Sequence, residues 1–159
     1  MCIRSHGCIC HHLEKAIKQD DKKKLKVIFA TSYIDELYDF LLDSYKLLQI
    51  EGYYKYVVSM NKLVKAYLLE KSPKSINVQN DQVKKDFMDL YDEKLDDLPA
   101  AKRLLHEKLS LLIQDVQHLA YQNLSHLDSF TNCLENVDQS NAIAVEDKTA
   151  HHRRGCLII

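Results

Sequence analysis

The 159 residues suit one domain of ordinary size, and a formal net charge of −1 gives no excess of Lys and Arg with which to displace counterions from nucleic-acid phosphates. The composition is 46% hydrophobic and 28% charged, with three glycines, two prolines and no tryptophan, poor material for the many turns of a sheet protein, so an all-α chain is expected. No apolar run reaches the roughly 18 to 20 residues of a membrane span and no secretory signal opens the chain, which predicts a protein that stays in the cytosol.

Residues 1–12 have no apolar period and collect Cys2, Cys8, Cys10 and three histidines, and are read as a tail. From Leu13 to Ala30 the chain is Lys-rich, with Leu13, Ile17, Leu25, Ile28 and Phe29 as inward positions of one or two short helices. Ser32 with Asp35 resembles a helix start, and Ile34, Leu37, Tyr38, Leu41, Tyr45 and Leu48 then recur at three- and four-residue steps. Gly52 marks a joint. Beyond it Tyr53, Tyr56, Val57, Met60, Leu63, Val64, Tyr67 and Leu68 make a second stripe, closed by Ser72-Pro73 because proline disfavours α geometry in the residue before it.

Residues 71–79 read as a loop, after which Asn80 or Asp81 caps a helix carrying Val83, Phe87, Leu90 and Leu95. Pro99 closes or restarts it. The longest pattern runs from Ala100 through Leu105, Leu109, Leu112, Val116, Leu119, Leu127, Phe130 and Leu134 to Val137, with a break near Ser125. Residues 138–159 are polar and aperiodic, a flexible tether. The expectation is a single helical bundle of four to six helices over residues 13–137. Leu37, Leu41, Val57, Met60, Val64, Phe87, Leu105, Leu112, Val116 and Leu119 should point inward.

The last four residues, Cys156-Leu157-Ile158-Ile159, fit Cys-aliphatic-aliphatic-X, in which the thiolate is alkylated by an isoprenoid and the three following residues are removed. Average composition gives such an ending by chance in roughly one chain in a thousand, so its position is informative. Terminal Ile is closer to Leu than to Ser or Met, which favours geranylgeranyl over farnesyl. A single isoprenoid binds only marginally, and two further signals are present. Arg153 and Arg154 lie beside the motif, where each basic residue near anionic headgroups contributes about 1 kcal/mol. Cys2, Cys8 and Cys10 are candidate S-palmitoyl sites. Cys8, Cys10, His11 and His12 read alternatively as zinc ligands, although paired zinc cysteines are usually two to four residues apart.

Catalytic patterns are not found. Glycines at positions 7, 52 and 155 supply neither a G-x-x-x-x-G-K-[ST] loop nor a G-x-G-x-x-G turn, and there is no H-E-x-x-H. His106, His118 and His126 fall along one amphipathic pattern as structural or surface histidines, and Asp20-Asp21 and Asp96-Asp97 read as solvated helix ends. The cluster Tyr53, Tyr54, Tyr56 and Tyr67 is expected mostly in core packing. No enzyme activity, cofactor or metal is expected.

The segment from Lys62 to Val78, Lys-Leu-Val-Lys-Ala-Tyr-Leu-Leu-Glu-Lys-Ser-Pro-Lys-Ser-Ile-Asn-Val, resembles the middle of regulator of G-protein signalling (RGS) domains, where a helix ends in a similar Ser-Pro-Lys turn. The family's acidic-Asn loop has no counterpart between Leu47 and Tyr56, and its Trp and its later Asp-x-x-x-x-Phe signature are missing, so no Gα-contacting residue carries over. Asp35-Glu-Leu-Tyr38 followed by the helix from Lys62 to Leu69 is similar to the helical TIPE family of lipid-binding proteins. The expectation is a lipid-anchored, non-enzymatic adaptor or regulator at the cytosolic face of a membrane, with a cytosolic pool and a protein partner. The RGS resemblance implies a G protein as that partner, and the TIPE resemblance implies a lipid carrier.

Overall fold

The computed structural model describes residues 9–19, 23–94 and 99–136. These are helical throughout, without a strand among them. Among the described residues seven α-helices are formed: α1 (Ile9–Lys18), α2 (Lys24–Thr31), α3 (Asp35–Leu48), α4 (Tyr53–Leu63), α5 (Asp81–Lys94), α6 (Pro99–Leu124) and α7 (128–136). That exceeds the four to six expected, because the first Lys-rich stretch makes two helices and the chain turns at Ser125 and His126 before α7.

α3 is central and packs against α1, α2, α4 and α6. It therefore buries Leu37, Tyr38, Phe40, Leu41, Ser44, Tyr45 and Leu47, a wider arc than the single stripe read from its sequence. Eight of the ten expected inward residues are buried; Val57 and Leu119 are only half-buried, at the edges of their helices' inward faces. Phe29, Phe40, Phe87 and Phe130 are fully enclosed. The ring of Phe29 meets Tyr38 at 5.5 Å and Phe130 at 6.4 Å, both edge-on, so one side chain ties α2 to α3 and α7.

Three boundaries differ from the sequence expectation. α1 begins at Ile9, four residues before Leu13, because Cys10, Leu13, Ala16 and Ile17 share a buried face. α3 starts at Asp35 with Ile34 in the capping position, and no side chain caps it, so Ser32 is not its cap. The second long helix ends at Leu68 rather than at Ser72-Pro73.

The reason for that early end is a π-helical turn, Val64–Leu68, continuing α4, with Leu69 N donating to Val64 O at 3.3 Å. Leu69 is extended, and the following loop folds back to satisfy the orphan carbonyls. Ser72 Oγ donates to Lys65 O, Lys74 N to Ala66 O and Ile76 N to Tyr67 O. Ile76, in the stretch read as a loop, is thereby buried.

At the start of α5, Asn80 Oδ1 accepts from Gln82 N at 3.1 Å, as a capping residue should. The carboxylate of Asp115 on α6 accepts from Gln79 N at 2.7 Å. Lys102 of α6 fastens the α3–α4 connection by donating to Ile50 O at 2.8 Å and Glu51 O at 2.9 Å.

Asp39 on α3 takes Lys26 Nζ at 3.0 Å and also Lys74 Nζ from the loop after the π turn. Burial pushes its carboxyl upward, but hydrogen bonds from Lys74 and Lys26 outweigh that and hold it below the ordinary 3.8. A depressed folded pKa adds stability above the unfolded value and loses it as pH falls through the folded one. The stability difference between wild type and Asp39→Asn in urea unfolding should therefore narrow as pH drops below about 3.8. A difference independent of pH would contradict this pairing.

Candidate functional site

Cys2, Cys8 and Cys156, expected as lipidation sites, and the arginines Arg153 and Arg154 lie outside the described residues, as does the stretch read as a tether. Cys10 does not. It sits in the first turn of α1 at 7% exposure, and burial pushes its thiol above the ordinary value. An enclosed, protonated thiol is a poor nucleophile, so this setting does not favour the palmitoyl role expected of Cys10.

What surrounds Cys10 is structural. Gln117 of α6, 3% exposed, donates from Nε2 to Cys10 O at 3.0 Å and to the hydroxyl of Tyr45 at 2.6 Å, joining α1, α3 and α6 through one amide. Burial pushes the Tyr45 phenol far above its ordinary range, and the Gln117 contact opposes this in part. Tyr45 therefore stays neutral at any physiological pH.

Among the described residues no three of His, Cys, Asp and Glu come together as metal donors. His106 is half-buried, while His118 and His126 are exposed on the surface. The tyrosine cluster divides. Tyr56 and Tyr67 are buried, Tyr53 is half-buried, and Tyr54 stands 80% exposed at the start of α4.

A cleft of about 300 Å³ lies between α3 and α4 with its π turn. Leu47, Leu63 and Ala66 line it together with Asp43, Lys46 and Lys62. Tyr67 donates its hydroxyl to Asp43 at 2.8 Å, and Lys46 approaches the same carboxylate at 3.8 Å, so the only acid among these lining groups is already engaged. The volume is at the lower end of those that hold small ligands.

The second surface feature is the corner between α2 and α3. Tyr33 N donates to Ala30 O at 3.1 Å and Ile34 N to Phe29 O at 3.1 Å, the paired bonds of a Schellman C-cap with Tyr33 at the left-handed position. Glycine is usual there because a Cβ crowds the next carbonyl. Tyr33 has φ 58°, and L-residues in that region cost roughly 1 to 2 kcal/mol. Its side chain is 89% exposed, so little packing within the chain offsets the cost. Sequence reading missed this residue; its lone signal was a bulky aromatic between two helical patterns, where Gly or Asn is the rule.

The chain matches no protein-family model, no curated protein and no solved structure.

Proposed function

We propose that the chain is a lipid-anchored helical adaptor or regulator working at the cytosolic face of a membrane, attached through an isoprenoid on Cys156. The observation that carries this reading is the tetrapeptide Cys156-Leu157-Ile158-Ile159, which fits Cys-aliphatic-aliphatic-X. No helix among the described residues is long and apolar enough to cross a membrane, so on this reading attachment depends on lipid and on surface contacts. With Cys10 enclosed in the core, the second signal falls to Cys2 and Cys8 or to Arg153 and Arg154. Exposed tyrosines at Tyr33 and Tyr54 support an adaptor, since large aromatic side chains at a surface are the commonest anchors of protein and membrane contacts. The likeness of residues 62–78 to RGS domains makes a membrane-bound G protein the first partner to test.

Intact mass of the protein made in a eukaryotic cell is expected to show one isoprenoid added and the last three residues lost. Cys156→Ser should move the protein to the soluble fraction, whereas Cys133→Ser on α7 should leave its distribution unchanged. An unmodified mass, together with an unaltered distribution of the Cys156 variant, would sink the anchoring reading.

A further inference from the structure

α2 is short and two-sided. Leu25 and Phe29 are buried on one side. At about 100° per residue, Lys24, Val27, Ala30 and Thr31 fall within an arc of about 120° on the opposite side, and all four are exposed. Val27 is 58% exposed and Tyr33, at the C-terminal end of the same helix, is 89% exposed, the largest exposures among the big apolar side chains of the described residues apart from Tyr54. The N-terminal end of this face carries Lys23 and Lys24, both exposed. Its negative neighbours, Asp35 and Glu36, lie past the corner in the first turn of α3. Lys26 turns away from this face to Asp39. The outward face therefore has a cationic end and an apolar end bearing a tyrosine.

We propose that this outward face of α2, with Val27 and Tyr33 as its apolar contacts and Lys23 and Lys24 as its charges, lies against an anionic bilayer. The inference rests on the membrane-anchored reading and deepens it by naming the face that meets the lipid. Tyrosine suits the headgroup level, where its ring meets acyl chain and its hydroxyl meets water. The lysine stems extend along the surface and bring their ammonium groups to lipid phosphates. A contact outside the chain would account for a tyrosine at a left-handed position that glycine fills more easily, since Tyr33 has φ 58° and leaves its side chain 89% exposed. Two apolar side chains and two lysines bind a bilayer weakly, which fits a second contact that orients a protein held by its lipid.

Tyr33→Gly separates this role from folding, because it relieves the left-handed backbone and removes the ring together. The full unlipidated chain would be floated with vesicles of phosphatidylcholine alone or with phosphatidylserine added. Wild type is expected to float with the phosphatidylserine vesicles. Tyr33→Gly should raise Tm by about 2 to 4 °C and lower flotation by about threefold or more. Lys23→Glu with Lys24→Glu should lose about thirtyfold or more on the phosphatidylserine vesicles and change little on phosphatidylcholine. Unchanged flotation of Tyr33→Gly overturns the proposal and turns the face toward a protein partner. Wild type that fails to float with phosphatidylserine vesicles overturns it as well. Because the assay uses unlipidated protein, neither result bears on Cys156, whose own variant tests the anchor.

Discussion

Replacing Phe29 by alanine is expected to cost about 3 to 5 kcal/mol, a large share of the roughly 5 to 15 kcal/mol that stabilises a domain. Phe29 is fully buried, and its ring meets both Tyr38 of α3 and Phe130 of α7. Its removal takes away the transfer free energy of a large ring. It also leaves a cavity that three helices have to collapse into. The consequence should be uneven. α7 is short and Phe130 is its fully enclosed residue, so hydrogen exchange over 128–136 should rise first. Phe29→Leu keeps most of the volume but loses the edge-on ring pairs, and should cost about 1 kcal/mol. Urea unfolding of the two variants measures the difference. A loss below about 1 kcal/mol for Phe29→Ala would contradict this packing.

Gln117→Leu should destabilise by about 2 to 3 kcal/mol, although it places an apolar side chain of similar size in the core. The amide of Gln117 is a donor to the Tyr45 hydroxyl, 3% exposed, and to the Cys10 carbonyl. Leucine leaves that phenol desolvated with its partner gone, and an unsatisfied buried polar group carries its full desolvation cost. Tyr45→Phe in the same background removes the orphan and should restore at least half of the loss. A double-mutant cycle reads the coupling directly. The same change loosens α1, so the Cys10 thiol should react faster with an alkylating reagent in Gln117→Leu than in wild type. Equal Cys10 reactivity with unaltered stability would refute the role given to Gln117.

Of the candidate site, the tetrapeptide at Cys156 on which the anchoring proposal rests is a sequence pattern and lies outside the described residues. Tyr33 was not legible, since its signal is a backbone angle and a solvent exposure, both set by where α3 departs from α2. Cys10 was misplaced for a related reason. Cysteine and histidine carry little weight in an apolar pattern, yet free cysteine is among the most buried residue types. The spacing Cys10, Leu13, Ala16, Ile17 carried the missing helical period.

By itself the sequence determined that the described chain is helical, and it gave most of the inward positions of α3, α4 and α6. The three- and four-residue recurrence of Leu, Val, Met and Phe is a local consequence of 3.6 residues per turn and needs no knowledge of neighbours. Breaks near Gly52 and Ser125 were legible for the same reason. The tertiary structure decided how wide each buried face is. Phe40, Ser44 and Leu47 are interior because α1, α2, α4 and α6 surround α3, and no property of those residues marks a helix as central. It likewise decided that Ile76 is buried, that α4 ends in a π turn, and that Gln117 is a core residue. Ile76 and Gln117 are buried because groups outside their own helical pattern meet them in space: Tyr67 O with Ile76 N, Tyr45 with Gln117. Periodicity records which side of a helix is apolar, whereas enclosure depends on how many other helices arrive there.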